Sequence, residues 1–151
     1  YILPNKMQIE LNSFNNKSIT SLPGWSSIMG LQFENLVLNN RQKIKEILGI
    51  NQEEMIADNP FFQHKTIRNK GCQIDYLVQT KDTLYVCEIK FSKYEIKPEI
   101  CEEIATKIDS LSRPKYLSTR PVLIHVNGVS EELEDKRYFS SIIDFSNLLS
   151  Q

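Results

Sequence analysis

Cysteine is scarce in this sequence, and the few cysteines present do not form pairs. There are 3 of them, at Cys72, Cys87 and Cys101. An odd number without a CxxC pair argues against a disulfide framework and against a structural zinc site. We therefore predict that these thiols are reduced and that the protein is cytoplasmic.

Long apolar runs are also missing. No stretch reaches the roughly 18 apolar residues of a membrane-spanning helix, and no signal peptide is visible at the N-terminus. We therefore expect no membrane partner. The first residue is Tyr1 rather than Met, which leads us to expect a segment of a longer protein.

Positive and negative residues are almost equal in number. The chain has 18 Lys and Arg residues against 19 Asp and Glu residues, so its formal net charge is -1. A near-neutral total does not exclude a nucleic-acid partner, since a local basic patch is sufficient, but it gives that partner no support. At 151 residues the chain is long enough to bury a core without a metal or a disulfide.

The N-terminal stretch differs in composition from the rest of the chain. Residues 1–25 are polar and irregular, with Asn-rich stretches and the pair Pro23-Gly24, as is typical of a linker from a preceding domain. Residues 26–151 carry the periodic apolar patterns of a folded domain. We therefore predict a linker over residues 1–25 and one domain over residues 26–151.

The domain is predicted to begin with a helix in which the carboxylate of Glu34 interrupts an apolar stripe. Ser26 and Ser27 can cap a helix from about Ile28 to Leu48, and Gly49 is its predicted stop. A carboxylate that interrupts an apolar stripe is often functional. At helical spacing the predicted inner stripe is Leu31, Glu34, Val37, Leu38, Ile44 and Leu48.

The remainder of the domain predicts a mixed α/β sheet. Asn59-Pro60 is typical of a turn. Predicted strands then cover residues 61–68, 73–79 and 83–91. Pro98 suits the first turn of a second helix that runs to about Leu111, and two further strands are predicted over residues 120–126 and 139–145. The order αβββαβ predicts a mixed central sheet flanked by helices.

Strand alternation brings chemically informative side chains to one face of this sheet. Glu88 and Lys90 share a face of the third strand, and antiparallel pairing brings Asp75 of the second strand opposite Glu88. Opposed carboxylates repel each other. A bound Mg²⁺ or Mn²⁺ relieves that repulsion, because these ions prefer hard oxygen ligands. Lys90 lies roughly 7 Å further along the strand, where it can hold a phosphate oxygen or the attacking water.

The ordered set Glu34, Asp75 and Glu88-Ile89-Lys90 resembles the active-site pattern of the PD-(D/E)XK nuclease superfamily. The resemblance covers about Gly30 to Asn127. The sequence departs from the motif at one position, where Ile74 precedes Asp75 in place of the motif's Pro. The resemblance implies a restriction-endonuclease-like core with catalytic residues on the first helix and on the second and third strands. It also implies that the three carboxylates hold Mg²⁺ or Mn²⁺ and that Lys90 positions or deprotonates the water.

A second departure concerns the helix after the third strand. Some branches of the superfamily carry a Gln there, whereas Glu102, Glu103 and Lys107 occupy the region in this sequence. We assign no fourth motif to it.

A narrower resemblance is carried by residues 22–34, 71–75, 87–91 and 121–128. Together these segments are similar to the C-terminal region of prokaryotic AAA-type ATPases, in which a P-loop ATPase and a winged helix precede a restriction-endonuclease-like domain. The similarity implies that residues 1–25 include the remnant of a winged helix and that an ATPase domain of the same longer chain is a partner. The present sequence has no Walker motif, so we expect no ATP binding by this segment.

The patterns leave more than one function open. The leading hypothesis is an enzyme, a Mg²⁺-dependent endonuclease that hydrolyses phosphodiester bonds in DNA. The alternative is a catalytically inactive module of the same fold that binds DNA or a protein partner and regulates the attached ATPase. A third possibility is a pure interaction domain. The retained acidic set favours the enzyme, whereas the lack of basic character favours a module.

Each candidate residue also has a purely structural interpretation. The paired carboxylates and Lys90 can form a solvated salt-bridge ladder across the two strands. Glu34 can pair with Arg41 or Lys45 on its own helix. His125 is most simply a hydrogen-bonded core residue, since it lies within a predicted buried strand.

Overall fold

The computed structural model describes residues 24–67 and 70–149, and its centre is a five-stranded mixed sheet. The elements are α1 (Trp25–Asn39), α2 (Arg41–Leu48), β1 (Met55–Gln63), β2 (Cys72–Thr80), β3 (Thr83–Phe91), α3 (Glu99–Ser110), β4 (Ser118–Val126), α4 (Glu131–Lys136), β5 (Ser141–Asp144) and α5 (Ser146–Leu149). The strands lie in the order β1-β2-β3-β4-β5. β1, β2 and β3 pair antiparallel, whereas β3, β4 and β5 pair parallel. The prediction of a mixed sheet flanked by helices is confirmed.

Two apolar cores lie on opposite faces of this sheet. The first core packs α1, α2 and α5 against one face and includes Met29, Phe33, Leu36, Val37, Ile44, Tyr76, Val122, Ile124 and Phe145. The second core packs α3 and α4 against the other face and includes Ile74, Val86, Ile100, Ile104, Ile108, Leu123 and Leu133. Alternate residues of β4 enter opposite cores, which explains why its sequence is apolar at consecutive positions.

The predicted single long helix is in fact two helices. α1 ends at Asn39 and α2 begins at Arg41, with Asn40 between them at φ -116° and ψ 23°. The Asn40 side-chain amide donates to the Leu36 carbonyl at 2.8 Å. Such a side-chain bond competes with continuation of the backbone ladder. Gly49 ends α2 in the left-handed conformation, with φ 72°, as predicted.

The buried stripe of α1 also differs from the prediction. Among the side chains of this helix that the structure describes, the buried ones are Met29, Phe33, Leu36 and Val37. Leu31 is instead 61% exposed. The helix turns a different face to the sheet than predicted because Phe33 packs there. Its ring centroid lies 5.8 Å from those of both Phe91 and Phe145. Glu34 consequently lies half-buried beside the stripe rather than within it.

Strand β1 lies earlier in the chain than predicted. It spans Met55–Gln63 rather than residues 61–68, and it continues through Pro60, where the sequence predicts a turn. Pro is tolerated because β1 is an edge strand and because its pairing with β2 is irregular at this point. Arg68 and Asn69 lie outside the described residues, as does the predicted linker apart from its last two positions.

The elements that follow lie close to their predicted positions. β3 has the predicted bounds, α3 begins directly after Pro98, and β5 forms the other edge of the sheet. The short helices α4 and α5 were not predicted. Over the described residues, no helix has the length and apolar character needed to cross a membrane.

Candidate functional site

A bulge in β2 determines where Asp75 lies. Leu77 pairs with Asn59 of β1, and Ile74 pairs with Phe61. Three steps along β2 therefore match two steps along β1, so that Asp75 and Tyr76 together oppose Pro60. A bulge of this kind bends the strand and redirects its side chains, and bulges are frequent beside active sites.

Asp75 also marks the point at which β2 and β3 separate. Regular pairing of these strands extends to Tyr76 opposite Cys87. Beyond that pair, Asp75 Oδ2 accepts a hydrogen bond of 2.9 Å from the backbone N–H of Ile89. A side chain therefore satisfies a donor of β3 at this position, and the bond fixes the orientation of the Asp75 carboxylate.

Glu88 is the most deeply buried carboxylate of the site, with 5% of its surface exposed. The negative charge of Asp75 acts directly on this buried carboxyl group. Burial, and then the charge of Asp75, raise the pKa of Glu88 to about 7, although Lys107 acts in the opposite direction. The structure thus brings together the two carboxylates that strand alternation placed opposite each other.

Glu34 approaches the same point from α1. Burial, and next the negative charge of Asp75, raise the pKa of Glu34, while the positive charge of Lys107 opposes the rise. Arg41 and Lys45 bind Asp58 instead of Glu34. The alternative interpretation, in which Glu34 pairs with one of these two residues, is therefore wrong.

The sequence did not assign a role to Lys107, yet its ammonium is central to the site. Lys107 Nζ lies 3.1 Å from Glu88 Oε1 and 3.5 Å from Glu88 Oε2. Burial by itself would lower the pKa of Lys107, but Glu88, followed by Asp75 and Glu103, raises it overall. The available signal was the position of Lys107 on α3, in the region where some branches of the resembled superfamily carry a Gln.

Lys90 lies on the same face of β3 as Glu88 but stands apart from the Lys107–Glu88 ion pair. It is half-buried and borders a cavity of about 250 Å³ between the end of β3 and the start of α3, beside Glu95 and Glu103. Among the residues that the structure describes, no carboxylate forms an ion pair with the Lys90 ammonium. Lys90 thus borders this cavity without an ion pair to a carboxylate of the described residues.

The chemistry of Glu34, Asp75 and Glu88, hereafter the carboxylate site, fits a hard divalent cation. Mg²⁺ commonly binds through one or two carboxylates and keeps several waters, and Asp75 with Glu88 supplies such a pair. The fit is to a pair and not to a trio. Within residues 24–67 and 70–149, no three His, Cys, Asp or Glu side chains are arranged to hold a metal ion together.

Two other residues considered from the sequence lie outside the carboxylate site. His125 is buried as predicted, but its Nδ1 has no hydrogen-bond partner among the described residues, contrary to the expectation of a hydrogen-bonded core histidine. Burial lowers the pKa of His125, and the charges of Asp144 and Glu134 oppose this only in part. Burial, and then Asp75, raise the pKa of the Cys87 thiol, which makes it a poor nucleophile.

These observations define a class of protein: an α/β protein whose carboxylate site lies where β2 and β3 separate. One fold supports many chemistries, so the architecture alone does not specify an activity. No protein-family model matches the chain, and no curated protein matches it. The residues of the site therefore have to indicate the function.

Proposed function

We propose that this is a cytoplasmic, metal-dependent nuclease domain that hydrolyses phosphodiester bonds in DNA and belongs to the C-terminal part of an AAA-type ATPase. The single observation that carries the proposal is the burial of Glu88 against Asp75. Like charges in a buried site are destabilising, and such arrangements cluster where a protein binds or transforms a ligand. The PD-(D/E)XK pattern of the sequence supplies the substrate class.

The residues have distinct roles in this proposal. Asp75 and Glu88 hold Mg²⁺ or Mn²⁺, and Glu34 lies beside this pair as a further acidic group that is not a ligand. When bound, the ion supplies a Lewis acid for the phosphate and acidifies a water molecule. The Ile89 N–H holds the Asp75 carboxylate in place through its hydrogen bond to Oδ2. Lys90, on the same face and beside an open cavity, binds a phosphate oxygen or orients the attacking water.

The proposal is tested by Mn²⁺ titration in a thermal-shift assay beside a plasmid-cleavage assay. We expect Mn²⁺ to raise the Tm of the wild type, because a ligand that binds only the folded state stabilises it by mass action. Lys90→Ala should keep the Tm shift and lose cleavage, whereas Asp75→Ala should lose both. Asp82→Ala is the matched control, since Asp82 is an exposed residue in the turn at the other end of the same strands.

A second candidate function is favoured by the Lys107–Glu88 ion pair. A carboxylate already neutralised by an ammonium suits a catalytically inactive module that binds DNA or a protein partner and regulates the ATPase. In that case a well-folded protein shows neither a Tm shift with Mn²⁺ nor cleavage. DNA or partner binding is then indifferent to the Asp75→Ala and Lys90→Ala substitutions.

A further inference from the structure

The Lys107 ammonium is bound to the same carboxylate oxygens of Glu88 that a metal cation would use. It contacts both carboxylate oxygens of Glu88, at 3.1 and 3.5 Å. It also attracts the other two members of the carboxylate site. Its charge opposes the rise in the pKa of Glu34, and the charge of Asp75 in turn raises the pKa of Lys107. One positive group thus serves all three carboxylates.

We propose that Lys107 is a built-in competitor of the divalent cation, so that Lys107 and the metal ion bind Glu88 in mutually exclusive states. In the metal-free state the ammonium neutralises Glu88 and holds α3 against the sheet. In the metal-bound state the ammonium is displaced from Glu88. This inference rests on the proposed function, because it presupposes that the carboxylate site binds a cation.

The surroundings of Lys107 allow this displacement. Its side chain is 26% exposed, compared with 6% for Glu88, so the ammonium is the partner with access to water. Lysine has a long flexible stem and a strongly hydrated charge, which makes its release from an ion pair easier than that of Arg. Glu103 lies four residues earlier on α3 and already attracts Lys107. Residues at this spacing face each other on a helix, so Glu103 can accept the displaced ammonium.

Isothermal titration of the 151-residue chain with MnCl₂ tests the competition. We expect Lys107→Gln, which removes the competing charge, to bind Mn²⁺ about tenfold more tightly than the wild type, a coupling of ordinary size for two linked equilibria. Lys107→Arg retains a cation and should bind Mn²⁺ no more tightly than the wild type. Lys81→Gln removes the same charge from an exposed lysine in the turn at the other end of β2 and β3, and its affinity should stay within about twofold of the wild type.

The outcomes separate this inference from the proposed function. Equal affinities for the wild type and Lys107→Gln, or weaker binding by Lys107→Gln, overturn the competition and leave the nuclease proposal standing. An equal gain in Lys81→Gln and Lys107→Gln also overturns it, because the effect is then one of net charge. Absence of Mn²⁺ binding in every variant overturns the proposed function and the competition together.

A measurement on the wild type covers the case in which Lys107→Gln does not fold. The ¹³Cε resonance of Lys107, assigned by its loss in Lys107→Arg, is followed during titration with diamagnetic Mg²⁺. We expect it to move toward the position of a hydrated lysine, with the same midpoint as Mg²⁺ binding measured by calorimetry. A Lys107 resonance that does not move while Mg²⁺ binds overturns the competition.

Discussion

Protonation of Glu88 links the carboxylate site to the stability of the folded protein. Burial and then Asp75 raise the pKa of Glu88 to about 7, above its ordinary value of 4.5. The folded protein therefore binds this proton more tightly than the unfolded chain does, and stability falls as the pH rises from about 4.5 to about 7. His125 has the opposite effect, because burial lowers its pKa and stability falls as the pH drops below the ordinary value of 6.5.

Comparison with Glu88→Gln isolates the contribution of Glu88, since His125 is common to both proteins. We expect the variant to gain stability relative to the wild type by roughly 1–3 kcal/mol between pH 5 and pH 8 in metal-free buffer, because Gln cannot ionise. The loss of a partner for Lys107 lowers the stability of the variant at both pH values, so the change with pH is the measured quantity. Urea unfolding followed by circular dichroism provides it. A difference between the two proteins that stays constant from pH 5 to pH 8 would contradict the prediction.

The same residues show how far a sequence can predict a site. The proximity of Asp75 and Glu88 followed from side-chain alternation in two neighbouring strands, which is a local rule. Lys107 could not be found in this way, because its contact with Glu88 depends on how α3 lies across the sheet. Sequence spacing within a helix does not contain that information. The pairing of Arg41 and Lys45 with Asp58 is likewise a contact between elements.

At the scale of elements, a charged network around Asp58 joins α2 to β1 and β2. Asp58 Oδ2 lies 3.1 Å from Lys45 Nζ and 3.6 Å from Arg41 Nε, and it accepts a 2.9 Å hydrogen bond from the Tyr76 hydroxyl. Lys45 is only 8% exposed. Burial, and then this hydrogen bond, raise the pKa of Tyr76, so the phenol stays a donor.

We expect Asp58→Ala to lower the free energy of unfolding by about 3 kcal/mol, because it leaves Lys45 buried without its counterion. Tyr76→Phe should cost about 1 kcal/mol, the usual size for a single hydrogen bond. Urea unfolding measures both, with the exposed Asp82→Ala as the control that should stay within about 0.5 kcal/mol of the wild type. If Asp58→Ala is as stable as this control, the network does not hold α2 against the sheet.

Elements were predictable to different degrees for physical reasons. The bounds of β3 were predicted correctly, because its alternating pattern ends in a clear turn on one side and loses its apolar pattern on the other. β1 was misplaced because Pro60 is compatible with a strand only at a sheet edge, and edge position is a property of the assembled sheet. The break at Asn40 depends on a side-chain bond to Leu36 that competes with a good helical pattern.

At the scale of the whole molecule, the carboxylate site depends on both apolar cores. Glu34 belongs to α1, which packs in the first core, and Lys107 belongs to α3, which packs in the second. Asp75 and Glu88 lie on the sheet between them. Correct geometry at the site therefore requires both layers of helices to be packed on the same sheet.

Because β4 contributes Val122 and Ile124 to the first core and Leu123 to the second, we expect the two cores to unfold together. Leu36→Ala and Ile104→Ala remove fully buried side chains from the first and second core, respectively. Each should destabilise the protein by about 2–5 kcal/mol through lost burial and the cavity left behind. Each should also keep a single unfolding transition with an unchanged dependence on urea, as in a two-state domain. Circular dichroism and amide hydrogen exchange of β4, followed across the urea transition, measure this. A biphasic transition in Ile104→Ala, with α3 exchanging before the sheet, would show instead that the helix carrying Lys107 separates from the rest of the site by itself.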